Sequence, residues 1–398
     1  MPDPNPSLER LRAHLVGLRA ADLDRSPLPQ APLGGVRVRV AGREALHFCS
    51  NDYLGLSRHP AVLAAARDGV DGGAGATGAR LLSGDQPAHR SLEAAAAALF
   101  GRPVLLWNSG WHANTGALPA LAGRGNLIFS DADVHASVVD GCRLSRAETV
   151  IWPHNDADAL EDLVVARLGA RREAPAGADV LVAESVYSMD GSLAPLARLV
   201  EIAERHGLLL YLDEAHGLGC RGPRGLGLAE ELGLLDRVHV IMAGLGKAAG
   251  GAGGLTAADE DLLALLRATA RPWIFSSACP PAVAASVQRA LEISAGPEGA
   301  ALRERLVARA RLLRQELALP HRGSGGASPI IPVPVGDEGR ALAVASSLLE
   351  EHGVLCRAVR HPTVPRGAAR LRLTVTALHS EDDVAQAAVA VRRALEER

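Results

Sequence analysis

Six short apolar runs bounded by Gly, Asp or Asn recur through the middle of the chain: VLLWNSG (104–110), NLIFSDA (126–132), TVIWPHN (149–155), DVLVAESV (179–186), LLLYLDEAH (208–216) and VHVIMAG (238–244). Their hydrophobicity is unbroken rather than alternating, so both faces of the sheet they build must be covered. Small-residue segments with helical spacing, such as SLEAAAAALFG (91–101), lie between them and supply that cover. This order predicts α/β architecture, a mainly parallel central sheet wrapped by helices.

The flanks read differently. Residues 8–24 carry helical spacing, and the Pro-rich turn SPLPQAPLGG leads into the alternating VRVRV at 36–40. Past the centre, the Arg-rich helical stretch ALRERLVARARLLRQELA (301–318) is followed by the loop HRGSGGASP, a strand PIIPVPVG, a helix GRALAVASSLLEEHG and the alternating ARLRLTVTA (369–377). Three parts are predicted: residues 1–50 as an N-terminal helix with short strands, 51–285 as the large domain, and 286–398 as a smaller α+β domain. No internal repeat with a period of roughly 20–50 residues is seen.

Composition closes off several functions. With 48% hydrophobic and 22% charged residues over 398 positions, the chain has the balance of a folded globular protein. A formal net charge of -3, with 4 Trp, 3 Tyr and 4 Phe, offers neither a positive field for a phosphate backbone nor many stacking platforms, which argues against a nucleic-acid partner. No stretch reaches the ~18 uncharged apolar residues of a membrane span, and the start, MPDPNPSLERLRAHL, lacks the basic-then-apolar order of a secretion signal. A cytoplasmic location without a membrane partner is expected. Cys49, Cys142, Cys220, Cys279 and Cys356 are scattered without metal-ligand spacing and read as reduced, mostly buried thiols, with no metal site.

Of the 42 Lys and Arg residues, Lys247 alone is a lysine. A surface cation can be either residue, so a drift toward arginine accounts for the other positions and leaves this one to be explained. Lysine can shed its proton near neutral pH and attack a carbonyl, whereas guanidinium stays charged. Lys247 follows a predicted strand within a glycine-rich segment, GLGKAAGGAGG (244–254), whose backbone N–H groups can approach a phosphate closely. It is not a P-loop, because GxxxxGK[ST] would need glycine at Ile241 and a hydroxyl at Ala248. Upstream, LLLYLD ends in Asp213-Glu214-Ala215-His216, at the carboxyl end of a strand, where open α/β sheets hold their ligands. The GxGxxG spelled by Gly217, Gly219 and Gly222 is read as accidental, since Pro223 stands where a dinucleotide-binding helix should open. A reactive amine, an acid, a phosphate cradle and nearby imidazoles are what pyridoxal 5′-phosphate requires of a protein.

Eight ordered blocks extend this reading: SNDYLGLSRHP (50–60), GAGATGARLLSGD (73–85), NSGWHANTGAL (108–118), DADVHASVVDG (131–141), ESVYSMDGSLAPL (184–196), DEAHGLGCRGPRG (213–225), GLGKAAGGAGG (244–254) and PTVPRGAARLRLT (362–374). In them the chain, from about residue 8 to 395, resembles the α-oxoamine synthases, fold-type I (aspartate aminotransferase-like) pyridoxal-phosphate transferases. The resemblance implies a homodimer whose cofactor is held covalently by Lys247. Asp213 would pair with the ring nitrogen, His216 and Ser188 would reach the phenolic oxygen, and His135 would stack on the ring. The N–H groups of Gly110 and Trp111 would hold the phosphate, with Ser277 reaching over from the second subunit.

Two positions depart from the family pattern. Gly110-Trp111 stands where Gly-Phe or Gly-Tyr is usual, and Gly244 stands where most members carry a threonine whose hydroxyl bonds the phosphate. Water or Ser276 would have to take over that bond. Arg372 matches the arginine that pairs with the amino-acid carboxylate, with Arg370 alternating beside it, while Asn51, Thr363 and Arg25 align with positions lining the acyl channel. The implied activity is that of the family member in biotin synthesis, decarboxylative condensation of L-alanine with a pimeloyl thioester on coenzyme A or a carrier protein. Other members, 5-aminolevulinate synthase, glycine C-acetyltransferase and serine palmitoyltransferase, compete with it. Ala79, where the glycine-using aminolevulinate synthases have a bulkier threonine, favours alanine. A non-catalytic protein retaining the fold is the reading from another class, and Gly244 is the one feature in its favour.

Overall fold

All six apolar runs form strands: β1 (Val104–Trp107), β2 (Leu127–Asp131), β3 (Glu148–Trp152), β4 (Val180–Glu184), β5 (Leu209–Asp213) and β6 (Val240–Gly244). A seventh, β7 (Gly254–Ala257), joins them in the order β1-β7-β6-β5-β4-β2-β3. The computed structural model describes residues 5–171, 176–319 and 328–398, so most of the predicted loop HRGSGGASP lies outside the described residues. β6, β5, β4, β2 and β3 pair in parallel, whereas β7 is antiparallel to both β1 and β6. The sequence reading did not include β7. Its GLTA, directly behind the glycine-rich segment, is too short to stand out as an apolar run.

Period-two geometry explains why the runs are unbroken. Leu210 and Leu212 of β5 enter one core cluster with Leu199 and Ile202, while Tyr211 enters the other with Leu118 and Met242. Asp213 is in step with Tyr211, and Glu184 is in step with Val180 and Val182 of that same second cluster. Both carboxyls therefore belong to the face that carries the helix Gly110–Leu121, whose Ala113, Ala117 and Leu118 pack there.

Asn51–Ala308 build the larger of two compact units, and the N-terminal residues up to Ser50 join most of the chain from Arg309 onward in the smaller. The predicted break near residue 285 is thus too early: the helix Pro281–Ala295 buries Ala284, Val287 and Leu291 in the larger unit's core. Nor do residues 1–50 stand apart, since the strand Arg43–His47 pairs in parallel with Val354–Leu355. In the smaller unit the alternation of VRVRV is realised as Val38 and Val40 buried with Arg37 and Arg39 exposed. Its second sheet, of Ile330–Gly336, Ala369–Thr374 and Arg357–Val359, is antiparallel. The five thiols are free and four of them are buried.

Candidate active site

The carboxyl ends of the larger unit's strands surround a cavity of about 310 Å³, a size that suits a small molecule. Eight of the residues singled out in the sequence stand on its wall: Asn51, Gly110, Trp111, His135, Asp213, His216, Gly244 and Lys247. Each comes from a strand end or the loop behind it, which is where an open α/β sheet gathers polar groups.

The helix Gly110–Leu121 opens on this cavity. Ser109 caps it, its Oγ accepting from the His112 N–H at 3.1 Å. A Cβ on Gly254 would lie 2.8 Å from the Gly110 nitrogen, so glycine there lets the helix start rest directly on β7. Gly110 in turn faces Gly244, to whose Cα a Cβ would come within 3.5 Å. The result is a cradle of bare backbone at the positive end of a helix dipole, suited to an anion.

Asp213 is 4% exposed. Its Oδ1 accepts from the Ala215 N–H (2.9 Å) and its Oδ2 from Asn114 Nδ2 (3.0 Å). Asn114 is buried and engaged on every side: Oδ1 accepts from the Tyr211 hydroxyl (2.7 Å), and Nδ2 also donates to Ser137 Oγ (2.9 Å). Ser137 Oγ lies 2.7 Å from His135 Nδ1. His216 Nδ1 is 2.7 Å from the Tyr53 hydroxyl, whose own proton is directed at Asn51 Oδ1, 3.1 Å away. At the mouth, Trp111 is 45% exposed and meets the His135 ring edge-on, with centroids 5.9 Å apart.

Burial pushes the His135 pKa down, reinforced by the Lys247 charge and opposed by Asp213. Glu184, the register partner of Asp213 on β4, is pushed well up by burial and by the Asp213 charge, against the pull of Lys247 and of the His135 and Ser188 backbone N–H groups. It also lines the cavity, so the site contains a second carboxyl whose ionisation burial and Asp213 disfavour.

The remaining expected residues lie elsewhere. Ser188 is buried but is not on the cavity wall. Ser277 is exposed, its carbonyl accepts from Asn108 Nδ2, and its backbone bridges to Ala79. Ser276 lines a separate small recess with Arg80 and Trp273, so it does not replace a hydroxyl at Gly244 in this protomer. Arg25, Thr363 and Arg372 belong to the smaller unit: Arg25 Nη2 donates to the His361 carbonyl (3.2 Å), Thr363 closes a turn on Arg360, and Arg372 stands opposite Pro332 and Arg357. Asn114, Ser137, Tyr211, Tyr53 and Glu184 were not anticipated. Asn114 shares its helix with the polar His112 and Thr115, so nothing in its sequence position set it apart.

Glu214, next to Asp213, is wholly enclosed. Burial lifts its pKa to about 7, with Asp213 adding to the rise and the Ser185 hydroxyl and the Ala229 and Leu228 N–H groups opposing it. In the unfolded chain a glutamate titrates near ~4.3. The folded state therefore holds this proton more tightly, and its contribution, roughly 3 kcal/mol, is complete below ~4 and lost as pH rises through about 7. Glu214→Gln should flatten the fall in thermal midpoint of the cofactor-free protein between about pH 5 and pH 8; parallel curves for the two proteins would refute this.

The family model for aminotransferase class I and II matches residues 43–391, and the chain belongs to that family, among its α-oxoamine synthases. It is 46% identical over 381 residues, 95% of this chain and 93% of the relative, to the 8-amino-7-oxononanoate synthase of Anaeromyxobacter dehalogenans. With the protein of the same name from Geobacter sulfurreducens it shares 43% identity over 388 residues, 96% of this chain and 97% of the other. A serine palmitoyltransferase from S. paucimobilis, solved with a bound pyridoxal phosphate–myriocin adduct, matches with a TM-score of 0.89 at 28% identity over 98% of each chain.

Proposed function

We propose that the chain is a pyridoxal-phosphate-dependent acyltransferase that condenses L-alanine with a pimeloyl thioester, releasing carbon dioxide, the carrier thiol and 8-amino-7-oxononanoate, in biotin synthesis. The observation that carries this reading is the meeting of the chain's one lysine with Asp213, His135 and His216 on a single cavity wall. The near-full-length similarity to synthases of that name supports it.

The cavity fits the cofactor. An enclosed carboxylate, an imidazole-bearing wall, an amine and a bare-backbone anion cradle occupy one space. When bound, pyridoxal phosphate supplies the electron sink that makes the amino acid's Cα–H acidic and its Cα–carboxylate bond breakable. Lys247 would hold it, Asp213 would face its ring nitrogen, His216 and Ser188 its phenolic oxygen, and the Gly110 and Trp111 N–H groups its phosphate. Lys247 Nζ takes the proton from alanine Cα, freeing that carbon to bond to the thioester carbonyl as the thiolate leaves. Arg372 orients the alanine carboxylate until it departs as carbon dioxide, and Lys247 returns a proton to the same carbon. Asn51, Thr363 and Arg25 guide the acyl chain. Ser277, exposed on its own protomer, serves a second copy in a homodimer. A cytoplasmic location goes with this reading; among the described residues no helix is long and apolar enough to cross a membrane.

The test is release of carbon dioxide and thiol from a panel of acyl thioesters offered with alanine, glycine or serine. Pimeloyl thioester with alanine should give the highest kcat/KM, and glycine should fall behind by tens-fold, since one methyl in a pocket is worth about 1–3 kcal/mol. A glycine preference, or a preference for a long-chain acyl group, would overturn the assignment. A second prediction concerns the departure at Gly244. A side chain there has room at modest cost, its Cβ meeting Ala215 Cβ at 3.3 Å and the movable Lys247 Nζ at 3.5 Å. A hydrogen bond to a charged group is worth about 1.5–3 kcal/mol, so Gly244→Thr should tighten cofactor binding roughly tenfold or more in equilibrium dialysis. Unchanged or weaker binding would mean that another donor already serves that oxygen.

A further inference from the structure

We infer that Ser137 and Asn114 lock His135 as the neutral imidazole with its proton on Nε2, so that the ring meets the site as a hydrogen-bond donor and not as a base. The inference deepens the proposed function and rests on it for its catalytic meaning, but the lock itself is read from donors and acceptors alone.

One donor that cannot turn, the Ser137 backbone N–H, sets the direction of the whole chain. Asp213 Oδ2 is a carboxylate oxygen, so the Asn114 group facing it at 3.0 Å is the amide nitrogen. The opposite orientation would set an amide oxygen against a carboxylate oxygen, and it would deprive the Tyr211 hydroxyl of the acceptor it reaches at 2.7 Å. The second hydrogen on Asn114 Nδ2 then points at Ser137 Oγ, 2.9 Å away. The Ser137 backbone N–H, a donor that cannot be reversed, faces His135 Nδ1 at 3.2 Å and leaves no place for a proton there. The Ser137 hydroxyl, which by itself could accept from both neighbours, then turns its hydrogen to that Nδ1 at 2.7 Å while it accepts from Asn114. His135 Nδ1 is thus an acceptor, and the ring's one proton sits on Nε2.

The charges around the ring point the same way. Burial and the Lys247 charge disfavour the imidazolium, Asp213 opposes them, the Glu184 carboxyl is itself pushed toward its neutral form, and Trp111 presents an uncharged edge. In this state His135 can donate to a substrate oxygen that gains negative charge as the new carbon–carbon bond forms. It cannot remove the Cα proton, which leaves that step to Lys247. Ser137 and Asn114 are positioning residues. Because the same Asn114 amide holds Asp213, one side chain orients groups from the end of β5 and from the start of the helix Ala136–Ser145.

Neutron diffraction from perdeuterated, cofactor-loaded crystals at about pH 7 should show deuterium on His135 Nε2 and none on Nδ1; deuterium on Nδ1 would overturn the proposal. Ser137→Ala removes a donor that favours the neutral ring. It should retain cofactor by absorbance after dialysis, yet move the low-pH limb of kcat/KM upward by roughly half to one pH unit, and Ser137→Thr should restore it. A limb unmoved in Ser137→Ala would also overturn it. If the wild-type protein neither binds the cofactor nor turns over, the proposed function fails, while the deuterium position in cofactor-free crystals still decides the tautomer.

Discussion

Replacing Lys247 with alanine is expected to lower turnover by at least about 10⁴-fold, since both the covalent hold on the cofactor and the proton carrier at Cα go with it. The effect should be clean because the sequence contains no other lysine to stand in, and arginine cannot lose its proton to do so. Borohydride treatment of the loaded wild-type protein should attach cofactor to a single peptide, the one containing Lys247. The variant should keep its fold by circular dichroism and take up cofactor without covalent attachment. Turnover within tenfold of wild type, or label recovered on another peptide, would remove Lys247 from its assigned role.

Asp213→Asn should cost about 10² to 10³-fold in kcat, the range seen when one preorganised electrostatic partner is removed from a reaction centre. The substituted amide keeps one carbonyl oxygen, which can serve Asn114 Nδ2 or the Ala215 N–H but not both, so one buried hydrogen bond is lost and the thermal midpoint should fall by a few degrees while the protein stays folded at assay temperature. What is lost is the negative charge that would face the ring nitrogen. A kcat loss below tenfold, or a fall that tracks unfolding, would show that Asp213 supports the fold and not the chemistry.

How far the sequence spoke depended on the range of the interaction involved. The six strands were legible because each is a local run whose hydrophobicity answers directly to burial on two faces. β7 was not, because one of its partners, Leu106, is far from it in sequence, the other, Ala243, lies across the glycine-rich segment, and its own residues say little. Lys247, Asp213 and His216 were visible as residue types at strand ends. The Asn114 hub was not, since the Tyr211 hydroxyl that orients it is 97 positions away and neither residue belongs to a spacing pattern. The domain division erred for a similar reason: the helix at 281–295 has the same amphipathic character whichever core it joins, and only the tertiary contacts of Val287 and Leu291 decide.

The placement of β7 also bears on the order in which the molecule can be assembled. β1 sits at the edge of the sheet, and its strand neighbour among the described residues is β7, with Trp107 opposite Gly254. A nascent chain that has not yet delivered Ala257 has no neighbouring strand to hold β1 in register, and the helix start at Gly110, which rests on Gly254, has no seat. Such long-range pairing delays structure until its last member arrives. The anion cradle is therefore the final part of the central sheet to close during synthesis, and fragments ending before residue 254 should fail to capture cofactor even though they already carry Asp213, His216 and Lys247.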